Sequence, residues 1–465
     1  MQHPMTKRLL RHTTERFPRA AGLILVLLAA ALLPFASTAA AQQSGAPVKP
    51  AGAAGFVTAS GTRFLDGGGK PLILHGVNVE NKVKAEGYIG DLGAADFVTI
   101  RGFGMNCIRL TIIWDGFEPQ PGKIDRAYLE KVARLVDAAK AQGLYVLLDM
   151  HQDLYSVLYS DGAPEWATLA QGKKFTATPV WSYAYFRSDA VAAALDNFWA
   201  NKPAPDGVPL QEHYARVWQA VARRFASEPA VVGYDLMNEP PPGRDYVRWR
   251  AASIDALAKA MAKRGITPPQ GMEAFLETPE GQKQALSLLQ DVEVFAAMAD
   301  AGEPIMQRFE TTRLMPLYTQ VARAIRQVDQ RHLLFLEPNI EGCGGVRTAI
   351  APLRDANGKR DPQQAYTPHA YDVTTDIGPA DSKGGSVRVR FILNRHQEET
   401  ERLQMPMLIG EWGAYYLEAS AAAPARFHIS EFDRLRCSDT YWSYGRKLAG
   451  SPLAAALASP TVKSR

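Results

Sequence analysis

The sequence predicts an α/β fold: a (β/α)8 barrel with long loops on the C-terminal face of its strands and no separate C-terminal β-sandwich. Three observations carry that expectation. Eight short runs are nearly continuous in apolar residues, the pattern of parallel strands covered on both faces. Amphipathic helical segments separate them, so strand, helix and strand alternate as in right-handed βαβ units. The chain has 465 residues, 46% hydrophobic and 22% charged. That leaves room for a barrel of roughly 250 residues with insertions.

The N-terminus reads as an export signal outside the fold. Lys7, Arg8, Arg11, Arg16 and Arg19 form a basic lead, an apolar stretch runs from Ala20 to Leu33, and Ser37-Thr38-Ala39-Ala40-Ala41 follow Pro34. That order marks a secretory signal peptide, 1–41, cleaved after Ala41, and places the mature protein in a periplasm or outside the cell. The apolar stretch is shorter than the about 20 residues a spanning helix needs. Residues 42–55, rich in Ala, Gly and Pro, read as a flexible linker. Residues 56–450 read as the barrel domain and 451–465 as a C-terminal tail.

The strands are expected at 72–77, 105–112, 144–150, 231–237, 333–336, 365–371, 407–412 and 440–444. Between them, Asp125 is placed to cap a helix whose Tyr128, Val132, Leu135, Val136 and Ala139 share one face, with Gly143 ending it. Tyr214, Val217, Trp218, Val221 and Phe225 repeat the pattern, as do Leu314, Leu317, Val321, Ile325 and Val328. Two connections are longer than a barrel needs. Residues 154–190 are dense in aromatics, among them Tyr155, Tyr159, Trp166, Phe175, Trp181 and Tyr185. Residues 244–310 read as a helical insertion. Both follow strand ends and so rise from the face where barrels build their sites. The aromatics either line an apolar groove or pack the loop onto the barrel.

The formal net charge of +4 belongs to the leader. Its lysines and arginines are offset only by Glu15, and the rest of the chain is balanced, which gives no support for a nucleic-acid partner. The three cysteines are odd in number, so at least one lacks an intrachain partner. Cys107 sits in an apolar run and is expected to be buried, and Cys343 with Cys437 is a candidate bridge. No Cys/His spacing resembles a zinc site, and no metal or other cofactor is expected.

The chemistry-bearing residues stand at strand ends. Tyr234-Asp235-Leu236-Met237-Asn238-Glu239-Pro240 is an apolar strand tipped by a polar pair, and Leu408-Ile409-Gly410-Glu411-Trp412 ends another strand in a second carboxylate. Two carboxyl groups facing each other across a barrel are what glycoside hydrolysis uses: one protonates the leaving oxygen, and the other attacks the anomeric carbon or activates water. Glu337, ending a strand before Pro338, is the reserve acid. Asp149 and Asp235 precede their strand tips and are expected to be interior.

From about Phe56 to Leu448 the chain resembles glycoside hydrolase family 5 of the 4/7 barrel superfamily, and within it the endoglycoceramidase-like members. The resemblance rests on His75-Gly76-Val77-Asn78-Val79, Asp149-Met150-His151-Gln152-Asp153-Leu154-Tyr155-Ser156, Gly162-Ala163-Pro164-Glu165-Trp166-Ala167 and Asp196-Asn197-Phe198-Trp199. It implies a retaining mechanism with Glu239 as acid/base and Glu411 as nucleophile. It implies that Asn238 bonds the sugar 2-OH, and that Arg109 and Tyr371 hold Glu411 ionised. His151, Asp153 and His369 would line the sugar pocket, Trp442 its floor, and Lys82 would reach a hydroxyl; Trp166 is grouped with these substrate-binding residues. The implied partner is a carbohydrate or glycolipid such as a glycosylceramide, met by a monomer in transient contact with a membrane surface. An endo-β-1,4-glucanase and a non-catalytic carbohydrate-binding barrel are the alternatives. Endoglycoceramidases usually continue into a β-sandwich that is not expected after Tyr444, and 244–310 departs from the family pattern.

Overall fold

Three short antiparallel strands come first: β1 (Thr58–Ser60), β2 (Arg63–Leu65) and β3 (Pro71–Leu72). The computed structural model describes residues 49–458 apart from 269, 376–385, 416 and 418; the expected signal peptide lies outside them. Eight parallel strands follow: β4 (His75–Val79), β5 (Cys107–Ile113), β6 (Tyr145–His151), β7 (Val231–Asp235), β8 (Leu333–Leu336), β9 (Gln364–Tyr366), β10 (Leu408–Ile409) and β11 (Ser438–Tyr441). They pair in the order β10-β11-β4-β5-β6-β7-β8-β9. The two end strands meet where Tyr366 bridges Met407 and its N–H donates to the Pro406 carbonyl at 3.0 Å, which closes the barrel.

Each expected strand has its counterpart, though several boundaries shift: the strands expected at 365–371 and 407–412 end at Tyr366 and Ile409, and the first start moves furthest. Leu72 belongs to the antiparallel sheet, and the first barrel strand begins at His75. The Asn106 side chain explains the break, because it accepts the His75 N–H and donates to the Ile73 carbonyl, both at 2.8 Å.

Along the strands the barrel interior changes character. Phe64, Leu74, Cys107, Leu147, Phe335, Ala365 and Leu408 form one apolar cluster at the N-terminal end. Two positions further on, and so on the same face, stand Arg109, Asp149, Glu337 and Thr367, all buried. The expectation that Asp149 and Asp235 are interior is met: neither exposes any surface.

The helices pack the outer face. Asp125 caps Arg126–Ala141 by accepting from Ala127 N and Tyr128 N at 2.8 and 3.0 Å, and the expected face of that helix is buried. Leu210–Phe225 and Met315–Arg326 bury theirs against the barrel. The insertion holds Asp245–Ala262, Met272–Leu276, Pro279–Leu288, Val292–Ala301 and Glu303–Phe309. Among the described residues no helix is long and apolar enough to cross a membrane.

Three expectations need correction. The described part of the linker is anchored at Ala51 and Gly52: Ala51 is buried and its N–H donates to Lys140 O at 3.3 Å, while its neighbours 49–50 and 53–54 are exposed. Gly52, at φ 71°, lies so close to Pro229 that a Cβ would stand 2.4 Å from its carbonyl carbon. Small residues that read as a tether serve this close approach instead. The tail begins with a helix, Pro452–Leu457, that buries Leu453 and Leu457, so the packed domain extends past 450. All three cysteines are free. Cys437 is buried just before β11, whereas Cys343 lies beside Glu239, so the candidate bridge does not form.

Candidate active site

Glu239 stands four residues beyond β7 in a left-handed conformation, φ 42°. A non-glycine residue there is uncommon and is kept only where surroundings hold it. Three contacts do so. The Glu239 N–H donates to Glu337 Oε2 at 2.8 Å, and Gln152 Nε2 donates to the carbonyls of Asn238 and Glu239 at 2.9 and 3.2 Å. The side chain is thereby presented to the pocket, where Oε1 accepts from His369 Nδ1 at 2.8 Å and from the Cys343 thiol at 3.2 Å.

Glu411 follows β10 and is clamped from two sides. Arg109 Nη1 donates to Oε1 at 2.7 Å and the Tyr371 hydroxyl to Oε2 at 2.9 Å. His369 Nδ1 lies 3.6 Å from Oε2. His369 thus bridges the two carboxylates, and their nearest oxygens are no further apart than the sum of its two contacts.

Arg109 is fully buried and reaches Asp149, Asp235, Glu337, Glu411, Asn78 and Asn238 within 3.1 Å. It is a positioning residue beneath the pocket. Asn238 is almost as deep: Oδ1 accepts from Arg109 and Nδ2 donates to Gln152 O at 3.2 Å. Glu337, the reserve acid, is occupied by Arg109, the Glu239 N–H and His369 Nε2 at 3.2 Å, and so positions Glu239.

Electrostatics refine the expected roles. Burial raises the Glu411 carboxyl above its ordinary value, although His369 and Arg109 pull it down; Glu239 pushes it up again. Arg109 and the Tyr371 hydroxyl both favour the ionised form, as expected, but desolvation outweighs the clamp and leaves the carboxyl above its ordinary value. Burial disfavours a charged His369, yet the Glu337 and Glu411 carboxylates overcome it and raise His369 well above an ordinary histidine.

A second ionic group forms the pocket wall. Lys82 Nζ lies 2.5 Å from Asp153 Oδ2 and 3.9 Å from Asp161 Oδ2, and 4.6 Å from the centre of the Trp442 ring. Trp442 stacks on His151, with centroids 5.3 Å apart and planes 14° from parallel. Burial and Lys82 oppose the His151 imidazolium, but Asp149 and Asp153 raise it to about 10. Burial lifts Asp161 to about 6, with Lys82 opposing and Asp153 adding to it.

These groups surround a pocket of about 480 Å3. Lys82, His151, Asp153, Glu239, Tyr371, Glu411 and Trp442 line it as expected. Arg109, Asn238 and His369 are buried and not part of that lining, so the expectation that His369 lines the pocket is corrected. Trp166 lies outside it too: its indole N–H donates to Glu118 O at 2.9 Å and its ring packs edge-on against Trp114 and His213. Trp181 of the aromatic loop also lines it, one of the two readings the sequence left open, whereas sequence reasoning missed Tyr246, Ile340, Glu341, Cys343 and Val373 as lining residues. Burial, with the Glu239 charge adding to it and a Tyr246 hydrogen bond opposing, pushes Glu341 up to about 8. The aromatic loop divides its labour. Tyr155 and Tyr185 are buried and Tyr159 stacks on Phe175, while Trp181, 44% exposed, faces the pocket. A larger groove of about 920 Å3 lies between Leu210–Phe225 and Met315–Arg326; it shares no lining residue with this pocket and is bordered by an ordinary Glu212–Arg216 ion pair.

The family model of cellulase, glycosyl hydrolase family 5, matches residues 65–266 and 296–448; the unmatched 267–295 fall inside the helical insertion. The chain is 32% identical over 224 residues to endoglycoceramidase I of Rhodococcus hoagii (strain 103S), 45% of this chain and 44% of that protein. It is 29% identical over 270 residues to an endoglycoceramidase of Hydra vulgaris, 47% of this chain and 51% of that one. It thus spans about half the length of these curated relatives. Endo-glycoceramidase II from Rhodococcus sp., solved in a ganglioside GM3 complex, matches with a TM-score of 0.62 at 26% identity, over 86% of this chain and 81% of that one. The same barrel and the same extended sequence match lead to one assignment: this chain belongs to glycosyl hydrolase family 5.

Proposed function

We propose that the protein is a retaining β-glycosidase of glycolipids, cleaving the bond between a β-linked sugar and a lipid aglycone such as ceramide. The carrying observation is the carboxylate pair at the ends of β7 and β10, bridged by His369, with Glu411 clamped by Arg109 and Tyr371. Glu411 attacks the anomeric carbon while Glu239 protonates the leaving oxygen; Glu239 then takes a proton from the water that releases the sugar. His151, Asp153 and Lys82 supply donors and acceptors for sugar hydroxyls, and Trp442 an apolar face. The glycolipid reading is supported by Trp181, Tyr246, Ile340 and Val373 around the mouth, and by the endoglycoceramidase relatives.

Glucosylceramide, lactosylceramide and cellooligosaccharides assayed side by side test this reading. Release of ceramide is the expected outcome. Cleavage of cellooligosaccharides alone would favour an endo-β-1,4-glucanase, and binding without cleavage of any of them a carbohydrate-binding barrel. We further propose that the protein is exported after loss of 1–41 and acts as a monomer at a lipid surface. N-terminal sequencing of the exported form that found Met1, or a dimer in sedimentation, would contradict this.

A further inference from the structure

We propose that Glu239, Cys343 and His369 form a binding site for a thiophilic divalent cation such as Zn2+, and that occupancy of this site switches the enzyme off. The proposal of inhibition rests on the acid/base reading of Glu239; the proposal of binding does not.

The donor set suits the ion. One carboxylate oxygen, one thiol and one imidazole nitrogen lie within 4.8 Å of one another. Cys343 Sγ is 3.2 Å and His369 Nδ1 2.8 Å from the same Glu239 oxygen. Tetrahedral Zn2+, with Zn–S about 2.3 Å and Zn–N or Zn–O about 2.0–2.2 Å, needs its ligand atoms only slightly further apart. Three protein ligands leave a fourth position open to the pocket, and Cys343 and Glu239 both line that pocket.

Two further observations single this cluster out. The other His/Asp/Glu groupings of similar tightness are already filled by the protein's own cations. His151, Asp153 and Asp161 surround Lys82, and Asp149, Asp235 and Glu337 surround Arg109. Among the described ion pairs, Glu239 meets only His369, and no lysine or arginine. On the far side of His369, Nε2 lies 3.2 Å from Glu337 Oε1, at ion-pair distance but without hydrogen-bond geometry. Metal-bound histidines usually turn their other nitrogen to a carboxylate. The sequence hides the site because its three ligands come from separate strand ends.

Binding is balanced by proton release. Zn–S, Zn–N and Zn–O bonds form as the thiol proton of Cys343 and the Nδ1 proton of His369 pass to solvent. The Glu239 carboxylate that accepted both hydrogen bonds becomes a ligand and can no longer protonate a leaving oxygen.

The test uses the full chain after chelator treatment. Titration with Co2+ as a spectroscopic probe is expected to produce a thiolate-to-cobalt charge-transfer band with one ion per chain, and Zn2+ to displace it. Cys343→Ala, which retains Cys107 and Cys437, is expected to abolish the band; Cys343→Ser serves if the alanine variant does not fold. In turnover assays Zn2+ is expected to inhibit the native enzyme at least tenfold, reversibly on chelation. It is expected to leave each Cys343 variant at its own metal-free rate. Absence of the band, or its survival in both Cys343 variants, overturns the site. A band without inhibition overturns the switch. A Cys343-dependent band in a protein that hydrolyses no glycoside overturns the proposed function and leaves the metal site standing.

Discussion

Glu239 and Glu411 carry the same chemical group and must fail differently when removed. Glu411→Ala removes the nucleophile, so turnover on every substrate should fall by far more than tenfold, a factor worth about 1.4 kcal/mol. Azide, entering the vacated space, should give a product of inverted configuration. Glu239→Ala should spare the first step for aryl glycosides with good leaving groups, which need little protonation, and azide should then give a retained product. The opposite pairing of azide products would exchange the two roles. The raised Glu411 carboxyl makes a further statement about pH. Only its ionised form attacks, so kcat/KM should fall with acidification at a pH above the ordinary glutamate value of about 4.3. The Tyr371 hydroxyl donates to the ionised form and thereby favours it. Tyr371→Phe should move that acid limb to still higher pH and lower kcat/KM about 10–100-fold, as expected for a lost hydrogen bond to a charged group worth about 1.5–3 kcal/mol. A limb that stays in place, or moves down, would mean that the profile reports another group.

At the scale of elements, the pocket wall is tied across two strand ends. Lys82 follows β4, Asp153 follows β6, and their contact joins those two loops, with Trp442 after β11 lying against Lys82 and stacked on His151 at the end of β6. Lys82→Met should lower kcat/KM at least tenfold, both by losing a sugar contact and by leaving Asp153 and Asp161 facing each other without a cation. Asp153→Asn should do the same, and the double variant should be no worse than the poorer single one, the non-additivity of groups that act together. Strictly additive losses would show that the two residues act separately. This scale also shows what the sequence made legible. Outer helices were readable because each buries a periodic face, strands because their apolar runs are covered on both faces, and Glu239 and Glu411 because they follow the ends of such strands. Tyr246, Glu341 and Cys343 were not, since the paths of the insertion and of the loop after β8 obey no period. Trp166 misled for the same reason: its motif marks a loop shared with relatives, but only the loop's path decides that the indole turns toward Glu118.

Across the whole molecule, stability and chemistry occupy opposite ends of one barrel. Its interior is apolar at the bottom, where Phe64 plugs the ring and stacks on Phe335 with centroids 5.9 Å apart. It turns ionic above, where Arg109 gathers four carboxylates. Phe64→Ala should therefore cost stability with little cost to catalysis. Removing a buried phenylalanine typically destabilises by about 3–5 kcal/mol through lost burial and the cavity left behind, and Phe64 is only 3% exposed. The route by which damage could reach the site is short, because Phe335 precedes Glu337 by two residues on the same face. Yet Glu337 is held from above by Arg109, His369 and the Glu239 N–H, contacts that do not involve the plug. The expected outcome is a lower denaturation midpoint with kcat/KM, measured well below the transition, within about threefold of the native enzyme. A native midpoint would show that the N-terminal sheet is not what seals the barrel. A folded variant with strongly reduced kcat/KM would show that the apolar layer also sets the position of Glu337, and through it that of Glu239.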